Sequence, residues 1–461
     1  MFVGITNTPR DYAWGSTSAI ASLLGRESSG KPEAELWLGA HAGSPSVILD
    51  PSIVGGAGNL AEWIAASPEV ALGAALSRST ESSSGSSAPD APDASASVPS
   101  TEPRLPFLMK ILAAQSPLSL QAHPSPERAL AGFELENAAG IPIDASGRNY
   151  RDPFHKPELI YALSETFEAL CGFREVGEIR RIVGELRALD AATDDPQPGA
   201  LNALESRLTG AEALHDVVEW LLRDGRGGDT GEVAWLVERV VALAEHAVFL
   251  GEGGAVVGFA RELATVGELA GAYPGDPGIV LSLLLNRVSL ARGEVLYLPS
   301  GNIHAYLSGL GVEVMAASDN VLRGGLTPKH IDVDELLDVL DFTTLPVPYL
   351  SPSSVAPGVS VYRPDVPDFA LVHIHADALS SGQDATGSGH YAQSSRLADV
   401  PMRQFTLTGP GIAICTVGGF LVAGGASSVT LKRGHSVYIT PDEGTLTFAG
   451  AGEVFLATTG D

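Results

Sequence analysis

The spacing at which apolar residues recur changes twice along this chain, and that change restricts its fold more than any single motif does. Up to residue 174, apolar and polar residues alternate in short runs broken by Gly, Pro and Ser, as in ELWLGAHAGSPSVIL and LPFLMKILAAQSPLSLQAHP. This is the pattern of half-buried strands joined by turns. From 175 to 274 the spacing becomes three or four: in REVGEIRRIVGELRALDAA, the residues Val176, Ile179, Ile182, Val183, Leu186 and Leu189 fall on one helical stripe. ALHDVVEWLLRD, EVAWLVERVVALAEHAVFL and FARELATVGELAGAY repeat it, with acidic, Gly-rich breaks between. Alternation then returns in RVSLARGEVLYLPSGNIHAYLSGLGVEVMAAS. The pattern predicts a mainly β chain with an inserted helical subdomain, α+β overall.

Residues 1–174 together with 275–343 are expected to form one β domain, 175–274 the helical subdomain, and 344–461 a second β domain. The last has the short strands and regular glycine turns of a sandwich or barrel. Residues 79–101 are almost wholly Ser, Ala, Pro, Asp and Gly, a composition that buries too little apolar surface to offset its ordering entropy. They read as a flexible insertion in a surface loop of the first β domain. PKHIDVDELLDVLDF reads as a short helix opened by Pro328, with Thr327 as its cap.

Composition excludes several functions. A net charge of −27, from 28 basic against 55 acidic residues, argues against nucleic acid or an anionic membrane as the main partner, since both need a basic face. Cys171 and Cys415 stand too far apart in sequence to suggest a disulfide framework, a thiolate zinc site or a CxxC centre. The first residues lack the charged and apolar regions of a signal peptide, and no apolar run approaches the roughly 18 residues of a membrane span. A cytoplasmic protein is expected. Lysine is scarce: Lys31, Lys110, Lys156, Lys329 and Lys432 are all there are.

Residues with chemistry concentrate in LSLQAHP (118–124), FHKPEL (154–159) and PSGNIHAY (299–306). On a strand, Gln121 and His123 project from the same face and can share an ion. Glu158 and His304 from the other two segments complete a set of nitrogen and oxygen donors without thiolate. Such a set suits zinc or another borderline divalent metal and leaves a position for water or a substrate oxygen. Any one of these histidines alone is more often a hydrogen-bonded, partly buried residue.

Together with YAWGS (12–16), AELWLGAH (34–41), FLMKIL (107–112), HKPE (155–158), ALCGFR (169–174) and GVEVMAASDNVLRGGLTPK (311–329), these segments resemble, in content and order, the type I mannose-6-phosphate isomerases. The likeness runs from Phe2 to about Leu340. It implies cupin-type jelly-roll β domains, one zinc ion per chain, and interconversion of mannose 6-phosphate and fructose 6-phosphate, a link between glycolysis and mannose and GDP-mannose metabolism. By motif it assigns the zinc ligands to Gln121, His123, Glu158 and His304, and a catalytic role to Arg323. A small sugar phosphate is the partner expected; no obligate protein partner is implied.

Aldose–ketose interconversion moves a proton between C2 and C1 through an enediol, so a base is needed beside the metal. His155, Lys156, Glu313 and Asp319 are the candidates, and the sequence does not choose among them. Three of the five lysines, Lys110, Lys156 and Lys329, lie inside these motifs with Arg323. Lys110 and Lys329 are expected to contact phosphate, Ser119 to add a hydroxyl and Tyr306 to touch the sugar. Trp14, Glu35 and Trp37 also fall in motifs, Trp37 reading as core. Two other readings stand: a non-catalytic cupin binding phosphorylated sugars, which would dispense with a ligand or Arg323, and a metal cupin of other chemistry, such as oxygenation, which would favour a histidine-rich iron site.

Overall fold

The computed structural model describes residues 1–77, 102–225, 231–377 and 403–460, so the Ser-rich 79–101 segment lies outside the described residues. Strand pairing brings distant parts of the chain together. Phe2–Thr6 pairs antiparallel with Ser436–Ile439 on one side and Val47–Ile48 on the other. The first residues thereby extend a ten-stranded sheet whose remaining strands all come from beyond residue 352.

This sheet belongs to the first of two compact units, Met1–Leu112 with Val312–Ala317 and Leu350–Asp461. Its core is built by alternation, with Val372, Ile374, Ala413, Cys415, Val437, Ile439, Val454 and Leu456 buried together. The helix Leu60–Ala66 is capped by Asn59, whose side chain accepts from the Glu62 amide. It sets Trp63 edge-on to Tyr438 at 5.5 Å, and the Tyr438 hydroxyl donates to the Ala71 carbonyl at 2.9 Å. Trp63 is 2% exposed. Trp63→Ala is therefore expected to cost about 3–5 kcal/mol, read as a lower midpoint in urea unfolding followed by circular dichroism; an unchanged midpoint would show that this contact does not hold the unit.

The second unit comprises Ala113–Gly311 and Ser318–Tyr349. Helices Val176–Ala191, Pro198–Arg207, Ala213–Asp224, Glu232–Glu252 and Ala260–Ala272 supply one layer. Ile179, Ile182, Val183, Leu186 and Leu189 are buried as the stripe predicts, and they share a core with Leu120, Ala122, Leu170, Ala305, Leu307 and Leu322 from the sheet. The helical layer thus covers one face of the strands that carry the chemistry motifs. No helix of the described residues is long and apolar enough to cross a membrane.

The mixed α+β, jelly-roll character is as expected. The first 112 residues, whose strands Phe2–Thr6 and Val47–Ile48 extend the C-terminal sheet, go with that sheet, and the helices go with the sheet face they cover. One local expectation is corrected. The short helix is Val333–Val339, capped by Asp332, whose carboxylate accepts from the Glu335 amide at 3.1 Å. Thr327 instead accepts from the Lys329 amide at 3.1 Å, closing a turn. An Asx residue three before a glutamate is the stronger cap.

Candidate active site

Sheet register assembles the site in the second unit. In the strand Leu120–Ala122, Gln121 stands directly opposite Arg323 of Leu322–Gly325 on one side and His304 of His304–Ala316 on the other. Directly opposed residues project from the same face. Their neighbours Leu120, Ala122, Leu322 and Ala305 point the other way, into the helical core. Period-two alternation on three strands thus separates a polar row from an apolar one.

His123, Glu158 and His304 complete the arrangement. One nitrogen or oxygen from each lies within 4.8 Å of the others, and no other such group of His, Cys, Asp or Glu occurs among the described residues. His123 Nδ1 donates to the Asn320 carbonyl at 2.8 Å, and His304 Nδ1 to the Asn302 carbonyl at 3.0 Å. In the neutral ring each Nε2 then carries a lone pair, and each faces a Glu158 oxygen at 3.3 Å. Lone pairs aimed at lone pairs repel, so an electron-pair acceptor belongs between them. Backbone carbonyls that fix the tautomer of metal-binding histidines are the usual accompaniment of such a site. Burial, and after it Lys156, lowers His123 to about 4, which leaves it neutral at pH 7, the ligating form. Burial pushes Glu158 up, but Lys156, whose ammonium lies 2.8 Å away, and the two histidines outweigh it and hold the carboxyl well below its usual range. These donors fit a divalent metal.

Local chemistry places each ligand. After His123 the chain leaves its strand into the helix Pro126–Ala138, with Pro126 in the first turn and Ser125 accepting from the Arg128 amide at 3.2 Å. The turn before His304 includes Gly301, at φ 79°, whose amide donates to the His123 carbonyl at 2.8 Å. A side chain there would meet the Asp341 backbone nitrogen at 3.2 Å as well as the left-handed backbone. Pro157 leads into the fully buried strand Glu158–Ala162. Cys171, opposite His304, has its thiol pushed up to about 12 by burial, far from a thiolate.

The remaining motif residues divide between the units. In the second, Lys156 pairs with Glu158, and Gln121 donates toward the Ser119 hydroxyl at 3.5 Å. Tyr306 is buried, its ring 6.2 Å from that of His304 and edge-on to Phe167 at 5.2 Å. Asp319 is exposed and its amide donates to Asp152 at 2.7 Å; His155 is half-buried just before Lys156. Arg323 and Lys329 form no ion pair among the described residues. Burial lowers the proton affinity of both, and nearby cations lower it further: Arg151 acts on Arg323, while Arg323 and then Arg151 act on Lys329. In the first unit, Lys110 is buried with its ammonium 2.8 Å from Glu313 and 3.6 Å from Glu35. Trp37 donates to Glu35 at 2.9 Å, and Trp14 stacks on Tyr12. Lys110 therefore presents a matched charge, whereas Arg323 and Lys329 present an unmatched one.

Two residues escaped the sequence reading. Arg151 is an exposed cation that lowers the proton affinity of Arg323 and Lys329, and Asn320 supplies the carbonyl that orients His123. Both lie inside motif-bearing segments, NYRDPFHKPE and SDNVLRGG, but nothing in their residue types separates them from ordinary loop residues.

Comparison with known proteins agrees with this geometry. The profile of the family described as phosphomannose isomerase type I, catalytic domain, matches residues 2–176. Mannose-6-phosphate isomerase of Escherichia coli (strain K12) is 33% identical over 456 residues, 98% of this chain and 97% of that protein. The Homo sapiens mannose-6-phosphate isomerase is 31% identical over 445 residues, covering 92% and 93%. A crystal structure of a zinc-bound mannose 6-phosphate isomerase superposes with a TM-score of 0.76 at 30% identity, covering 100% of both chains. With the ligand row, the cation cluster and full-length identity in agreement, this chain belongs to the type I phosphomannose isomerase family.

Proposed function

We propose that this protein interconverts mannose 6-phosphate and fructose 6-phosphate, holding zinc with Gln121, His123, Glu158 and His304. The observation that carries the reading is the convergence of His123, Glu158 and His304 in a unit that also holds Arg323 and Lys329, which make no ion pair among the described residues. Zinc bound there supplies a Lewis acid for the sugar's carbonyl and hydroxyl oxygens.

The chain's own side chains divide the remaining work. Arg323, on the same sheet face as Gln121, stabilises negative charge that develops on the enediol oxygen. Lys329, a compact cation with three donors, holds the phosphate. Phosphate binding falls to these unmatched cations rather than to Lys110, whose charge is shared with Glu313 and Glu35. Tyr306 and Ser119 contact the sugar. The proton between C1 and C2 is carried by one of His155, Lys156 and Asp319 in the second unit, or by Glu313 in the first. The enzyme works in the cytoplasm, in keeping with two free, buried cysteines.

In a coupled assay the zinc-loaded protein is expected to turn over mannose 6-phosphate, and chelation to stop it; fully metallated protein without turnover would sink the reading in favour of a non-catalytic sugar-phosphate cupin. Run in heavy water, the reaction is expected to leave deuterium at C1 or C2 of the product. Replacement of the true base lowers kcat while zinc content stays full, which separates the four candidates.

A further inference from the structure

Asn320 is 0% exposed, and its polar groups are all engaged. Its carbonyl accepts from His123 Nδ1 at 2.8 Å. Its side-chain oxygen accepts from the amides of Arg151 at 2.8 Å and Asp152 at 3.4 Å. Its side-chain nitrogen donates to the carbonyls of Asp152 at 2.7 Å and Phe154 at 2.9 Å, and toward the Asp152 carboxylate at 3.3 Å. Ser318 reinforces the clamp, its hydroxyl donating to the Asp152 carboxylate at 2.8 Å and lying 3.1 Å from the Phe154 carbonyl.

Segment 151–154 leads directly into His155, Lys156 and Glu158, and Asn320 stands three before Arg323. Asn320 therefore ties together, by its backbone carbonyl, a metal-ligand histidine and, by its side-chain amide, the run into a second ligand, with a cation on each side. Only asparagine presents a donor and an acceptor at that reach; an aspartate would face the Asp152 and Phe154 carbonyls with a third set of lone pairs. The Arg151 amide bonds the Asn320 side chain at 2.8 Å and Asn320 stands three before Arg323, so the two arginines leave adjoining points of the backbone; none of Arg151, Arg323 and Lys329 makes an ion pair among the described residues, and Arg151 lowers the proton affinity of the other two. A phosphate dianion is the ligand such a cluster fits.

We propose that Asn320 is a positioning residue that couples the metal site to the phosphate site, holding His123 by its carbonyl and Arg151 by its side chain, and that Arg151 is a third cation for the substrate's phosphate. The proposal rests on the isomerase reading for the identity of the substrate alone. Its test uses the full chain carrying Asn320→Asp, Asn320→Ser or Arg151→Gln, with zinc affinity read by competition with a chromophoric chelator and inorganic phosphate binding read by titration calorimetry. Either Asn320 variant keeps the backbone carbonyl that accepts from His123 but frees the segment that places it, and is expected to weaken zinc by about 10-fold, the low end of the loss on disturbing an outer partner of a metal ligand, and to weaken phosphate as well. Asn320→Ser removes the amide without adding charge or volume and is read in the same way if Asn320→Asp does not fold. Arg151→Gln is expected to weaken phosphate about 10-fold, the scale of one lost charge-assisted hydrogen bond, to raise KM for mannose 6-phosphate more than it lowers kcat, and to leave zinc affinity alone.

A purely structural Asn320 would lower the thermal midpoint with both affinities intact, and that result overturns the proposal. So does loss of only one affinity in the Asn320 variants, or unchanged phosphate affinity in Arg151→Gln. Neither binding measurement needs turnover, so a chain that binds zinc and phosphate in this way without isomerising would fail the isomerase reading and leave the coupling standing.

Discussion

His304→Ala is expected to abolish measurable isomerisation of mannose 6-phosphate and to weaken zinc by more than about 100-fold, beyond what the loss of an outer partner of a ligand costs. His304 is 3% exposed, its Nδ1 is committed to the Asn302 carbonyl, and its Nε2 lies 3.3 Å from Glu158. Its cross-strand neighbours are Gln121 and the protonated thiol of Cys171, and neither moves in to replace a nitrogen donor from a fixed strand. Glu158 keeps Lys156 at 2.8 Å in the variant, so the remaining carboxylate stays paired and the chain should still fold. Zinc content after dialysis, measured alongside the coupled assay, checks the result. Partial return of metal and activity with added imidazole is expected, because the substitution leaves a ring-sized space facing the ligands. Full zinc occupancy with ordinary turnover in His304→Ala would remove His304 from the site.

Arg323→Gln is expected to lower kcat/KM by about 100- to 1,000-fold, the range for losing one preorganised group that stabilises charge in the transition state, with zinc content unchanged. The side chain is half-buried beside Gln121 on the ligand face and has no acidic partner among the described residues, so its charge is directed at whatever anion enters. Burial and Arg151 lower its proton affinity, yet a guanidinium stays charged through such a shift. Arg323→Lys restores a point charge without the planar fork, and an intermediate rate is expected. Loss of zinc together with activity in Arg323→Gln would mean that the residue shapes the metal site rather than serving the reaction.

Much of the site is legible in the primary structure because it is written in short-range patterns. The Gln121–His123 spacing, the HKPE run and the turn that ends at His304 place each ligand on or beside a strand, and the resemblance supplied their grouping. The helical stripe of 175–274 is also legible: five of its six expected residues are buried, and the sixth, Val176, packs partly buried against the same core. What those helices are for is not legible. They cover Leu120, Ala122, Ala305 and Leu322, the reverse face of the very strands that present Gln121, His304 and Arg323.

Contacts across long separations account for the rest. Arg151 meets Asn320 across 169 positions and His123 meets it across 197, and no local propensity encodes either contact. The joining of the first strand to the C-terminal sheet has the same cause, since the pairing of Val3 with Tyr438 is a property of the assembled sheet. Even the short helix after Lys329 began later than expected, because two capping residues competed and the better one, Asp332, lay downstream.

The sequence by itself determined which residues are available for chemistry, their alternation on each strand, and the place where helix replaces sheet, since these follow from periods of two and 3.6 and from residue type. Tertiary structure alone decided which cations stay unmatched, separating Lys110, bound to Glu313 and Glu35, from Arg323 and Lys329. It also decided which carbonyl fixes each ligand's tautomer. Charge matching and hydrogen-bond satisfaction depend on distances of about 3 Å between residues far apart in the chain, and only register and packing set those.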